Sequence, residues 1–467
     1  MRIGSLMVLA RLLTPKDFGL VGMATAFTGI FNMLRDFGLS AAAVQQDTVT
    51  DDQISTLFWI NLLFGLMFAL LCIVLAPVIG TFYHQPRLVT VMAVLGLGFV
   101  FNAAGTQHAV LLQRQMRFTA YSTIGVVSLM ISTGVAIGGA LLGFGYWSLV
   151  ALSVAPSFIS AIGLWWTTGW IPGMPRRRAG VRPMIRFGGT MTLSGVLGYV
   201  SYNIEKVLLG RFWGAEALGI YGRSYQLVNM PTGNLNSAAG EVAFAALSRL
   251  QGDHGRLRSY FLKSFSLVQA VTVPITIACI LFSGDLIAVF LGPKWKAAAP
   301  ILRLLAPTIF AFGIMNPLGW LLDSTGLVGR GLKLALVFSP LIILGYFVGL
   351  PYGPHGVAFA YSTVMILWTL PNAALCVRGT VISLRDVLIT TGKPLASGVA
   401  AGALAMAARM ACGHALSPLL RLLVGNSVLF IAFFGILLFV GGQKSFYLDL
   451  LRGLRGLSPV KDDMVSV

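Results

Sequence analysis

The chain has 467 residues, of which 57% are hydrophobic and only 10% charged, and its net charge is +18. Soluble domains carry about 25% charged residues, so this composition excludes a soluble globular domain. The excess of Lys and Arg belongs in the loops of a membrane protein rather than against nucleic acid.

The apolar runs are about 20 residues long, the length of a helix across a ~30 Å hydrocarbon core. The ~10-residue alternating stretches of a closed barrel are absent. The four cysteines, Cys72, Cys279, Cys376 and Cys412, fall within apolar runs without a CxxC pair, so neither a disulfide framework nor a metal site is expected. No small-residue cleavage site follows a short apolar core, so no cleavable signal peptide is read.

The elements in chain order are all helices. A partial helix at 1–13 is followed by spans at 18–34, 57–79, 88–110, 121–142, 146–168, 187–210, 218–244, 264–290, 300–322, 332–350, 355–377, 388–411 and 417–440. The fold class is all-α: a polytopic membrane protein of fourteen-helix design whose first helix begins part-way along. Lys and Arg gather after the even-numbered helices, most densely at Arg176, Arg177, Arg178, Arg182 and Arg186. That bias predicts both termini in the cytoplasm. The short amphipathic stretch YLDLLRGLRGL at 447–457 is expected on the inner membrane surface.

An internal repeat organises these spans. RLLTPKDFGLVG at 11–22 overlays RFWGAEALGIYG at 211–222, sharing Arg11/Arg211, Phe18/Leu218, Gly19/Gly219, Leu20/Ile220 and Gly22/Gly222. Asn102-x-x-Gly105 pairs with Asn316-x-x-Gly319 at an offset of 214, and Gly145 pairs with Gly356 at 211. The expected division is a six-helix half at 1–170, a basic cytoplasmic linker at 171–186 and a second half at 187–378. Two further helices at 379–440 and a tail at 441–467 follow. Six helices per half make the repeats parallel, an arrangement common in transporters that work by alternating access.

Polar side chains inside the spans are the candidate site. Tyr221, Tyr225, Asn229, Thr232, Asn236 and Gly240 recur at three or four residues, which sets one stripe along a helix face. Thr25, Thr28, Asn32 and Asp36 form the matching stripe in the first half, and Gly195, Tyr199, Tyr202 and Lys206 share a face of the seventh span, with Glu205 beside it. Such residues could line a hydrated cavity, or simply bond helix to helix. Charges at membrane depth are costly and usually face a bundle interior, and the candidates are Glu205, Lys206 and Arg223. Glu205 and Lys206 point about 100° apart, so they are not each other's sole partners. Arg11 and Arg211 are read as braces for the turns before Gly19 and Gly219. No enzyme signature or Walker A sequence appears.

The blocks LARLLTPKDFGLVGMA, SYNIEKVLLGRFWGAEALGIYGRSYQLVNMP, ALSRLQGD and LGPKWKAAAPILRLLAP resemble the polysaccharide/oligosaccharide transporter (Wzx-like) family. That family is part of the multidrug/oligosaccharidyl-lipid/polysaccharide exporter superfamily. The resemblance implies a flippase that moves an undecaprenyl-diphosphate-linked oligosaccharide across the bacterial cytoplasmic membrane through a cationic cavity. By position it assigns Tyr202, Asn203, Glu205, Lys206 and Arg223 to the second half of that cavity. Lipid II flippases add first-half arginines, where this chain offers only Arg11 and Arg35 near span ends, with Thr25 and Asn32 in mid-helix. The implied partners are the lipid-linked oligosaccharide, membrane lipids and the polymerase and chain-length machinery. No cofactor is implied beyond a coupling Na⁺ or H⁺. The alternative is an ion-coupled multidrug or metabolite antiporter of the same superfamily. A glycan polymerase, which needs a large outer loop, is more remote.

Overall fold

In a computed structural model of the chain, residues 2–35, 50–175, 182–412 and 417–440 are described, and every regular element among them is helical. The helices are α1 (Arg2–Leu12), α2 (Pro15–Leu34), α3 (Asp51–Phe82), α4 (Arg87–Arg114), α5 (Phe118–Leu141) and α6 (Tyr146–Thr168). The run Arg182–Arg249 is broken by Gly214, whose φ of 80° is left-handed, into α7 (182–213) and α8 (215–249). Then come α9 (His254–Leu281), α10 (Ser283–Phe290), α11 (Ala298–Leu305), α12 (Pro307–Ser324), α13 (Val328–Gly349), α14 (Gly353–Val377), α15 (Leu384–Cys412) and α16 (Pro418–Gly435). Ten helical stretches among the described residues are long and apolar enough to cross a membrane, with α13 and α14 falling in one of them.

Local sequence fixes the helix starts. Thr14 caps α2: its hydroxyl accepts from Asp17 N at 3.4 Å, while the Asp17 carboxylate accepts from Thr14 N at 2.9 Å, and Pro15 takes the first turn. Thr50 and Gln53 make the same box at α3. With 32 residues, α3 runs about 48 Å, well beyond the hydrocarbon core. Small residues let α3 approach α4 closely: a Cβ on Gly65 would lie 2.6 Å from Ala103 Cβ and 2.8 Å from Phe99 O. Phe31, Phe68 and Phe99 fill the space beside that contact, with ring centroids 5.5–6.2 Å apart.

Three expectations need correction. The ninth span does not run over 264–290. The helix starts at His254, capped by Asp253, and ends at Leu281, and residues 283–290 form the separate α10. The break has a chemical reason, because Asp285 at the start of α10 is buried against Arg421 at 2.9 Å and Arg409 at 4.0 Å. The span at 300–322 is two helices that meet at Ala306. The left-handed glycine opening α14, matching Gly145 (φ 56°) before α6, is Gly353 (φ 69°) rather than Gly356. Arg176, Arg177, Arg178, Asp36 and the stretch 447–457 lie outside the described residues.

The chain divides into two compact units. The first comprises Met1–Arg223, Phe290–Ala297 and Ser339–Ala360, and the second Ser224–Val289, Ala298–Phe338 and Tyr361–Val467. In the second unit α9 packs on α12 and α15. Its cores gather Phe261, Phe265, Leu318 and Leu321 on one side and Phe282, Ala401, Leu429 and Phe433 on the other. Arg258 clamps Asp386 there through Nη2 at 2.6 Å and Nε at 3.2 Å.

Candidate functional site

In the first unit, two turns of α7 build a ladder of polar groups. Lys206 Nζ donates to Asn203 Oδ1 at 2.6 Å, and Asn203 Nδ2 donates to the Tyr199 carbonyl at 2.8 Å. The Tyr199 hydroxyl donates to Thr25 O on α2 at 3.3 Å. The i, i+3 and i+4 spacing that the sequence showed is what lets these side chains meet. Lys206, Asn203 and Tyr202 are half-buried. Glu205 faces elsewhere: it is fully buried, and neither carboxylate oxygen has a hydrogen-bond partner among the described residues. An amide rather than a carboxylate therefore holds the ammonium of Lys206.

On α2 the polar residues mostly serve their own helix. Thr25 Oγ1 donates to Gly22 O at 3.1 Å and Asn32 Nδ2 to Thr28 O at 3.1 Å. The Asn32 carbonyl oxygen accepts from Arg35 Nη1 at 3.2 Å.

The two repeated turns touch. A Cβ built on Gly19 would fall on the carbonyl of Ala215, and one built on Gly219 on the carbonyl of Pro15. Beside them the Arg223 guanidinium lies 4.2 Å from the centre of the Phe18 ring, a cation–π contact, and Phe18 meets Trp295 edge-on at 5.3 Å. Trp295 Nε1 donates to Ala10 O at 2.8 Å, and Lys294 Nζ to Arg11 O at 3.2 Å. Tyr221 is fully buried in this unit. Arg211 Nη1 lies 3.3 Å from His84 Nδ1, with its guanidinium 5.5 Å from the Phe82 ring centre.

The remaining stripe residues of α8 belong to the second unit. The Tyr225 ring lies 6.1 Å from that of Tyr361. Asn229 is exposed and accepts from Thr232 Oγ1 at 3.3 Å, and Asn236, also exposed, accepts from Trp320 Nε1 at 3.0 Å. The stripe is therefore not uniform: Tyr221 and Thr232 are buried, and Asn229 and Asn236 are open.

The sequence reading missed a cavity of about 410 Å³ within the first unit, lined by Arg35, Asn102, Thr106, Gln113, Tyr121 and Ser157 among others. Its signal was the repeated Asn102, read only as a marker of duplication. Among the described residues no cluster of three His, Cys, Asp or Glu side chains is placed to hold a metal.

Known proteins resemble this chain in sequence and in the arrangement of helices. A family model described as "Polysaccharide biosynthesis protein" matches residues 8–300. The chain belongs to the family of polysaccharide biosynthesis proteins. Within it, the chain is 30% identical over 321 residues to the teichuronic acid biosynthesis protein TuaB of Bacillus subtilis, covering 68% of this chain and 66% of the relative. It is 26% identical to the lipopolysaccharide biosynthesis protein WzxC of Escherichia coli, covering 78% and 74%. The chain thus spans about two thirds to three quarters of the length of these relatives. Among solved structures, the lipid II flippase MurJ in an inward closed conformation superposes with a TM-score of 0.74 at 14% identity over 96% of this chain and 97% of that one. An inward-facing multidrug resistance MATE family transporter gives 0.61 at 15% identity over 80% and 94%. These two likenesses establish a polytopic helical transporter fold.

Proposed function

We propose that this polysaccharide biosynthesis protein is a flippase. It carries an undecaprenyl-diphosphate-linked oligosaccharide across the bacterial cytoplasmic membrane by alternating access of two six-helix halves, for exopolysaccharide, capsule or O-antigen synthesis. The observation that carries the reading is the Lys206–Asn203 pair on α7. A cation in an apolar bundle is expensive unless it serves a ligand or pathway, and one held by an amide keeps its charge for an anionic headgroup. Tyr199, Tyr202, Tyr225, Asn229, Asn236, Thr25 and Asn32 are the proposed contacts for sugar hydroxyls and ring faces, and Arg223 adds positive potential; Tyr221, fully buried, is left to packing. The names of TuaB and WzxC, which place those proteins in cell-surface glycan synthesis, support a glycan cargo. Both termini are proposed to be cytoplasmic, with a polymerase and chain-length machinery as partners.

Glu205, buried without a hydrogen-bond partner, favours coupling to H⁺ or Na⁺. The same residue is what favours the second reading, an ion-coupled antiporter of small cations. Lys206 and Arg223 weigh against it, because they would repel a cationic drug. The test is complementation of a strain lacking its repeat-unit flippase, following the leaflet of the lipid-linked unit and the surface glycan. Wild type restores the glycan, and Lys206→Ala at equal protein level leaves lipid-linked units on the inner leaflet. Export of a cationic dye without any glycan would support the antiporter instead.

A further inference from the structure

A pocket of about 360 Å³ lies between the starts of α9 and α15, inside the second unit. That volume is within the range of small-ligand sites. Arg258, Ser259 and Lys263 line it from α9, and Thr390 and Lys393 from α15. Among the described lining residues there are three cations and no carboxylate. Arg258 spends two of its N–H groups on Asp386, outside the lining, which ties the two helices together and offsets its charge. Lys263 and Lys393 differ. Both are exposed, and neither ammonium has a hydrogen-bond or ion-pair partner among the described residues.

The two lysines occupy matching positions. Each lies nine residues after the first residue of its helix. Lys263 is followed on α9 by the uncharged run 264–281, about 27 Å of helix, and Lys393 on α15 by the uncharged run 394–408. The first of these runs nearly fills a ~30 Å hydrocarbon core, which sets the ammonium groups at headgroup level. A single interfacial lysine only snorkels to the headgroups and needs no pocket. Here two of them open onto one pocket whose lining also holds the hydroxyls of Ser259 and Thr390.

We propose that this pocket binds the phosphate headgroup of an anionic phospholipid from the inner leaflet. Lys263 and Lys393 pair the phosphate, and Ser259 and Thr390 donate hydrogen bonds to it. Only the choice of leaflet rests on the topology proposed above. Basic pockets between spans on the cytoplasmic side are suited to such headgroups. The same charge disfavours a zwitterionic lipid, whose own ammonium would meet two others with no carboxylate in the lining to offset them. Ile389, on the same wall, is 52% exposed and gives an acyl chain an apolar flank to follow. A free phosphate would gain the ion pairs without that flank, so the lipid is favoured. The bound lipid bridges α9 and α15, alongside the Arg258–Asp386 pair.

The test uses the delipidated full-length protein in a neutral detergent, titrated with dioleoyl phosphatidylglycerol or dioleoyl phosphatidylcholine and read by native mass spectrometry. Wild type is expected to prefer phosphatidylglycerol by about thirtyfold, the scale of two interfacial lysines. Lys333 on α13 is exposed and outside the lining, so Lys333→Gln is the control for general surface charge and keeps the preference. The double variant Lys263→Gln with Lys393→Gln binds the two lipids equally. Ser259→Trp keeps both lysines and fills the pocket from an exposed position, and it loses the preference too. Equal binding of the two lipids by wild type would overturn the site. So would a preference that survives either pocket variant, or one that Lys333→Gln weakens as much as the double variant does. Inorganic phosphate displacing phosphatidylglycerol at equal concentration would mark a free-anion site, and undecaprenyl diphosphate displacing it at lower concentration would assign the pocket to the cargo; either result overturns the proposal. No transport is measured, so a failed lipid site and a failed flippase remain distinguishable.

Discussion

Gly19 packs on the backbone of Ala215, and Gly219 packs on the backbone of Pro15, so one contact is made twice by residues that the repeat sets 200 positions apart. Each glycine faces the residue that corresponds to its partner's start of helix. The duplicated sentence therefore builds a self-complementary joint at the ends of α2 and α8. Both copies turn at the same point by different chemistry: Thr14 caps in one, and left-handed Gly214 breaks the helix in the other.

The joint leaves no room for a side chain. Gly19→Ala or Gly219→Ala is expected to destabilise this packed state by about 1–3 kcal/mol, the usual cost of overpacking. Gly222→Ala, whose Cβ meets nothing within 4 Å, is expected to be neutral or slightly stabilising. Thermal unfolding of the three purified variants checks the order. Equal midpoints for Gly19→Ala and Gly222→Ala would show that the contact is not made.

Loss of the α2 cap is a smaller effect. Thr14→Ala removes the acceptor for Asp17 N and is expected to cost about 1 kcal/mol. Thr14→Ser keeps the acceptor and should sit near wild type in the same unfolding experiment.

Asp285 is the anchor between α10, α15 and α16. Asp285→Asn leaves the largely buried Arg421 without its 2.9 Å partner, at an expected cost of about 3 kcal/mol. The double variant Asp285→Asn with Arg421→Met removes both charges of the pair and is expected to recover most of the loss. A double variant no more stable than the single one would contradict the pairing.

Glu205 separates folding from coupling. Glu205→Gln replaces a fully buried, unpartnered carboxylate by a neutral isostere, so the melting midpoint is expected to rise. Transport by the same variant is expected to lose its response to an imposed ion gradient. A variant that unfolds at lower temperature would mean that Glu205 is paired in the working protein.

The helical fold was legible because ~20-residue apolar runs leave little choice of structure. The errors fell where polar residues extend or interrupt a span. Arg256, Arg258 and Lys263 hid the first turns of α9, and the apolar residues after Asp285 disguised α10 as its continuation. The α7 ladder was legible in part: spacing sets Tyr199 and Lys206 on one helix face, whereas Asn203, which links them, was marked only by the family resemblance. The cavity was not, because its walls come from α4, α5 and α6 together with Arg35 just beyond α2, and how these meet is not written in any one helix. The contact between the repeated turns was half-legible: the sequence marks Gly19 and Gly219 as equivalent but says nothing of what each one touches.

The central claim is that the cargo is a lipid-linked oligosaccharide. Its most direct test is reconstitution of the purified full-length protein into liposomes holding an undecaprenyl-diphosphate-linked repeat unit with a fluorescent sugar, followed by quenching from outside. Wild type is expected to make the inner pool accessible with time, and Lys206→Ala, at equal incorporation, to leave it protected. If protected and accessible pools stay constant with wild type under every imposed ion gradient, while the same vesicles transport a cationic dye, the flippase account is contradicted.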